Sequence, residues 1–206
     1  MRVLAFGPHP GAIEWGAAAY LRYLVSKEAV IYPIVFSDCR DAVRRYTVAQ
    51  FIDEMNTAAS IIDMGEPYVD KFKVREFSKD RQQILDKVID WRDKVNPDLV
   101  LAPSPNAFHQ DYRTLGQEVY RAMFRKHVNL IAYEYPSDPS FRPTVYFPMT
   151  EDMVKFKVKV WSSFRSHIDS RPHASVDDLV AQCKIRGAQC GMPYAEAFEM
   201  LYGIVL

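Results

Sequence analysis

Neither sign of charge prevails in this sequence: Lys and Arg together number 26, and so do Asp and Glu. A chain without a net field does not gather polyanions by long-range steering, so nucleic acid and anionic membrane surfaces are not expected partners. Any ligand must be recognised locally. Long apolar runs are also missing, since none reaches the ~18 residues that a membrane helix needs. The segment before Gly7-Pro8 is short and strand-like, without the apolar stretch and cleavage site of a signal peptide, so a cytoplasmic location is expected. Cysteine is scarce. Cys39, Cys183 and Cys190 are odd in number and fall in no metal-binding spacing, which argues against a disulfide framework and for reduced thiols. There is no internal repeat and no low-complexity segment.

What the chain does have is apolar content sufficient for one full core, 49% of its 206 residues, and a single domain over 1–206 is expected. Apolar runs suited to buried parallel strands occur at Val3–Phe6, Val30–Phe36, Leu99–Ala102 and Leu130–Tyr133. Helical patterns at Ala17–Ser26, Val48–Met64, Lys79–Val95 and Leu115–Lys126 alternate with them. This alternation predicts right-handed crossovers and a mainly parallel sheet covered on both faces. The proline-rich stretch Pro136–Pro148 reads as a loop or edge strand, and Glu151–Ser166 and Ser175–Arg186 as further helices.

In open parallel sheets, ligands bind beyond the carboxyl ends of the strands. The segments at those ends are GPHPGAIE after the first strand, SDCRD at Ser37–Asp41 after the second, and PSPNAFHQDYR at Pro103–Arg113 after Leu99–Ala102. They are expected to bring His9, Glu14, Asp38, Arg40, His109, Asp111, Tyr112 and Arg113 to one cleft.

The order strand, G-x-H-P-x-x-I-E-x-G, helix, and then H-x-D-x-R after a later strand resembles the PIG-L/LmbE family of zinc-dependent N-acetylglucosaminyl de-N-acetylases. YEYP at Tyr133–Pro136, Lys155–Pro172 and RGAQCGMPYAEAFE at Arg186–Glu199 extend the likeness over nearly the whole chain. The resemblance implies a Rossmann-like α/β three-layer sandwich and a hydrolase acting on an N-acetylated amino sugar. It also implies zinc ligands at positions 9, 12 and 112, a general base at position 11 and a polarising histidine at 109. The residues there are His9, Ala12, Tyr112, Gly11 and His109, so His9 is the one retained ligand and the base is gone. A catalytic zinc needs about three protein ligands, and without it water keeps a pKa near ~15.7. The resemblance therefore implies a degenerate site with no zinc, binding an amino-sugar or nucleotide-sugar-like ligand or a protein partner. The alternative is an active hydrolase with a rebuilt zinc site or a metal-free one. A third course, His109 and Asp111 as an acid/base pair for another reaction, stays open, as does homo-oligomer formation.

Simpler roles stand beside these. His9 suits a loop-holding hydrogen bond, Asp111 a supporting carboxylate and Glu14 a charge favourable to its helix dipole. Arg40 suits either anion recognition or an ion pair, whereas Arg44 and Arg45 suit a solvated face. Trp15 is expected in the core, the Tyr133–Phe147 aromatics in packing or a sugar wall, and Lys157 on the surface. His127, His167 and His173 have no ligand spacing and are expected to carry no chemistry. Restoring Asp at positions 11 and 12 is expected to be tolerated, because a helix begins near Ile13.

Overall fold

The computed structural model describes residues 1–42, 45–136 and 138–204. Its centre is a seven-stranded sheet of β1 (Arg2–Gly7), β2 (Val30–Val35), β3 (Tyr68–Val69), β4 (Leu99–Pro103), β5 (Asn129–Tyr133), β6 (Val145–Met149) and β7 (Tyr194–Tyr202), in the order β3-β2-β1-β4-β5-β7-β6. The first five are parallel, as the apolar runs predict for all of them but β3, and β7 and β6 close the edge antiparallel. The helices are α1 (Ala12–Ser26), α2 (Val48–Ile62), α3 (Arg81–Val95), α4 (Gln110–Met123), α5 (Glu151–Trp161), α6 (Arg165–Ile168) and α7 (Val176–Gln189).

Alternation along β1 builds both cores. Val3 and Ala5 face one side with α1, α2 and Trp161, and Leu4 and Phe6 face the other with Ile84 and Val88 of α3 and Leu115 and Val119 of α4. The three-layer α/β sandwich follows. No described helix is long and apolar enough to cross a membrane.

Several boundaries differ from the sequence expectation. α1 begins at Ala12 rather than Ala17, because the chain turns at once after Pro10 and the Trp15 N–H donates to the Gly11 carbonyl at 2.9 Å. The stretch expected as one helix over Glu151–Ser166 breaks at Ser162–Phe164 into α5 and α6. β6 is the edge strand anticipated in the proline-rich region, with Pro148 inside it. α1 lies close on the sheet at Gly16, where a Cβ would stand 2.5 Å from the Tyr133 ring. The Tyr133 hydroxyl in turn donates to the Phe6 carbonyl at 2.7 Å, tying β5 to the end of β1.

Candidate functional site

Strand order reverses between β1 and β4, and the crevice at such a switch point is where the carboxyl-end loops diverge. His9 leaves β1 there, and the loop after β4 delivers His109 as the N-cap residue of α4. The two histidine rings lie 5.4 Å apart, and Tyr112, one turn into α4, lies 5.6 Å from His9 and 5.3 Å from His109. Tyr135, after β5, packs on Tyr112 at 4.3 Å.

Hydrogen bonds fix the protons. His9 Nε2 donates to Asp111 Oδ2 at 2.9 Å, and the Arg75 backbone N–H donates to the same oxygen at 2.7 Å. Burial pushes the Asp111 carboxyl up, but the bonds from His9 and Arg75 outweigh it and hold the group below its ordinary range, hence ionised. Burial lowers His9, and with the neighbouring His9 it takes His109 down to about 4, so both rings are neutral at pH 7. The Asp111 N–H donates to His109 Nδ1 at 3.2 Å, which leaves the His109 proton on Nε2. His109 thus presents a donor, and Asp111 Oδ1 is buried with no partner among the described residues.

The remaining residues expected at the site divide. Asp38 is buried and engaged by Arg40, whose Nη2 lies 2.5 Å from its Oδ2, so these two serve each other. Arg113 is exposed on α4. Glu14 does not ride the helix end as a solvated charge. It is 2% exposed, burial raises its carboxyl from 4.5 to about 7, and Oε2 has no partner among the described residues. Arg44 lies outside the described residues. Arg45 is exposed, as expected of a solvated face, and also lines a pocket beside the crevice together with Arg75, Arg171 and His167. Lys157 is buried against Glu196 rather than at the surface, and Trp15 packs against Trp161 at 4.9 Å.

His9, His109 and Asp111 have potential ligand atoms within 4.8 Å of one another. Two contacts already join the group: His9 Nε2 donates a hydrogen bond to Asp111 Oδ2, and His109 Nδ1 accepts one from the Asp111 backbone N–H. Of the three positions that the resemblance makes zinc ligands, 12 and 112 do not fit the ion. Ala12 has a methyl group, and the Tyr112 phenol is pushed well above its ordinary pKa by burial and then by Tyr135, so it does not offer a phenolate. Position 11 cannot easily take a base either. Gly11 has φ 80°, and a Cβ there would meet the Trp161 ring at 3.1 Å and Phe164 at 3.3 Å. Trp161, Phe164 and His167 lie outside the residues expected at the site because they flank the α5–α6 break, which follows no strand end.

No protein-family model matches the chain. No curated protein matches it either. Solved structures do. N,N'-diacetylchitobiose deacetylase from Pyrococcus horikoshii, in complex with an inhibitor, superposes with a TM-score of 0.77 at 17% identity, covering 97% of this chain and 83% of that one. The zinc-inhibited form of a teicoplanin deacetylase gives 0.77 at 12% identity, covering 96% and 97%. A 4-carboxy-2-hydroxymuconate hydratase from Pseudomonas putida gives 0.73 at 17% identity, covering 100% and 98%. The fold is that of the LmbE/PIG-L-type deacetylases. It is also the fold of a hydratase, so function must be argued from the site.

Proposed function

We propose that this protein is a catalytically degenerate relative of the de-N-acetylases that binds an amino-sugar-like small molecule at the carboxyl ends of β1 and β4. The observation that carries this reading is Tyr112, a buried phenol held between His109 and Tyr135 where the resemblance implies a zinc ligand. Gly11 and Ala12 remove the base and a second ligand. What is left suits recognition: His109 Nε2–H as donor, held in place by the backbone of the buried Asp111, and Phe108, 75% exposed next to His109, as an aromatic face for a sugar ring.

An active hydrolase with a rebuilt zinc site would have to draw its ligands from His9, His109 and Asp111 and give up the His9–Asp111 hydrogen bond. The test joins three measurements on protein purified without chelator: zinc content, acetate release from N-acetylglucosamine, and thermal shift with N-acetylglucosamine and glucosamine. The expected result is zinc far below one per chain, no acetate, and stabilisation approaching about 2.7 kcal/mol at 100 times the dissociation constant. Stoichiometric zinc with acetate release overturns the reading, and so does the absence of any shift with either sugar.

A further inference from the structure

Beside the crevice lies a cavity of about 280 Å³ that the deacetylase resemblance does not account for. Its wall comes from the loop after β2, from the segment around Arg75, and from α6 with the turn after it. Arg45, Arg75 and Arg171 line it, and among the described residues none of the three side chains is ion-paired or hydrogen-bonded. The acids nearby are already engaged: Glu54 accepts from the Ser166 N–H at 2.8 Å and from its hydroxyl, and Asp169 accepts from Tyr46 at 2.7 Å and pairs with Arg165 at 3.2 Å. Three guanidinium groups facing one small volume without a carboxylate among them are mutually repulsive unless an anion joins them.

A second observation points the same way. His167 lines this cavity, is 4% exposed, and has an Nε2 atom without a partner among the described residues. Burial, and after it the Arg171 charge, hold the ring well below its ordinary pKa, so it is neutral and Nε2 can accept a hydrogen bond. A buried acceptor left open is costly unless a hydroxyl fills it. The pocket thus offers fork-shaped donors for an oxyanion and one acceptor for an O–H.

We infer that this pocket binds the phosphate group of a small phosphorylated ligand, with the three arginines on the phosphate oxygens and His167 Nε2 accepting a hydroxyl of the ligand. A phosphate fits better than a carboxylate because it presents enough oxygens for three guanidinium groups, where a carboxylate presents two. The volume of about 280 Å³ is just below the about 300–1,000 Å³ of small-molecule sites, which suits a monosaccharide phosphate rather than a nucleotide sugar. The Arg75 backbone N–H holds Asp111 while its side chain lines the pocket, so the phosphate would lie next to the His109 cleft. In identifying the rest of the ligand as an amino sugar, the inference rests on the function proposed above.

The test is calorimetric titration at fixed ionic strength with inorganic phosphate, glucosamine and glucosamine 6-phosphate, chloride serving as the blank. Inorganic phosphate is expected to bind, glucosamine 6-phosphate to bind at least tenfold more tightly than glucosamine, and Arg75→Gln and Arg171→Gln each to weaken both phosphate compounds tenfold or more. Glucosamine affinity should be unmoved by either variant. Since Arg75 is exposed and Arg171 half-buried, both variants should fold, which an unchanged circular dichroism spectrum would verify. No phosphate binding, or phosphate binding that survives both substitutions, overturns the inference. If inorganic phosphate binds and is lost in the variants while glucosamine does not bind, the phosphate pocket stands and the amino-sugar reading falls. If glucosamine binds and phosphate adds nothing, the amino-sugar reading stands and this pocket falls.

Discussion

Buried polar groups collect in two regions of this molecule, and only one of the two is internally satisfied. Around β7, Glu196 accepts from Lys157 Nζ at 2.5 Å and from the backbone N–H groups of Ala19 and Tyr20 at 2.9 and 2.8 Å. Glu199 accepts from the Ser104 hydroxyl and the Arg142 N–H, each at 2.6 Å, and Glu134 is paired with Arg186. At the carboxyl ends of β1 and β4, by contrast, Glu14 Oε2, Asp111 Oδ1 and His167 Nε2 are buried with no partner among the described residues. Charges closed on one another join elements, here α1 and α5 to the antiparallel edge. Polar atoms left open are the mark of a place built for something else to bind.

The largest effect should come from opening the closed region. Lys157→Ala would leave Glu196 buried without its counter-charge, a loss of about 3–5 kcal/mol by urea denaturation. The double variant Lys157→Met/Glu196→Gln, which removes both charges and keeps an acceptor for one of the Ala19 and Tyr20 N–H groups, should lose less. Equal losses would mean that the pair does not act as a unit.

Glu14 tests the open region in the opposite direction. Its carboxyl titrates near 4.5 in the unfolded chain and at about 7 in the fold, so the unfolded state gives up its proton first as pH rises. Stability is therefore undiminished below about pH 4.5, falls between there and pH 7, and stays reduced above, by at most about 3 kcal/mol. Glu14→Gln removes that dependence. The variant should melt above the parent at pH 8 and close to it at pH 4, and a parent melting temperature that is flat from pH 5 to 8 relative to the variant would refute the assignment.

A smaller loss is expected at Gly11. The sequence motif invites Asp there, and the expectation that a helix start would welcome the charge does not survive the backbone. With φ at 80° and Trp161 3.1 Å from a Cβ, Gly11→Asp strains the turn and crowds the ring, costing about 1–3 kcal/mol. Gly11→Ala carries the same left-handed strain and crowding without the charge and should account for most of that loss. If Gly11→Ala unfolds at the parent's urea concentration, the turn is looser than its geometry says.

How much could be read from the sequence follows the same division. The parallel strands β1, β2, β4 and β5 are covered on both faces, so each appears as an uninterrupted apolar run. β7 hides because its buried acids Glu196 and Glu199 break that run, giving YAEAFEMLY a mixed pattern. β6 holds Pro148, and β3 has two residues, too few for any period. The crevice residues His9, His109, Asp111 and Tyr112 were legible because strand ends converge by topology. Arg75, Arg171 and His167 are not, since Arg75 follows β3, a strand too short to show a pattern, and His167 and Arg171 lie in and after α6, whose placement depends on how the break between α5 and α6 folds back.

The smallest predicted effect marks the boundary of the open region. Arg113 follows Tyr112 directly and was grouped with the cleft by its place in the loop, but helical geometry turns adjacent residues about 100° apart. While Asp111 and Tyr112 face inward, Arg113 is exposed and, among the described residues, has no side-chain hydrogen bond or ion pair. An exposed side chain without partners contributes within about 0.5 kcal/mol to stability. Arg113→Ala should therefore leave the urea midpoint and the affinities for glucosamine and inorganic phosphate unchanged within error. Arg75→Gln, at an equally exposed position, should lose phosphate. Two surface arginines of the same sequence would then differ only in what their side chains face. A tenfold loss of either ligand on removing Arg113 would extend the site along α4 and make the pocket lined by Arg45, Arg75 and Arg171 one part of a wider anion surface.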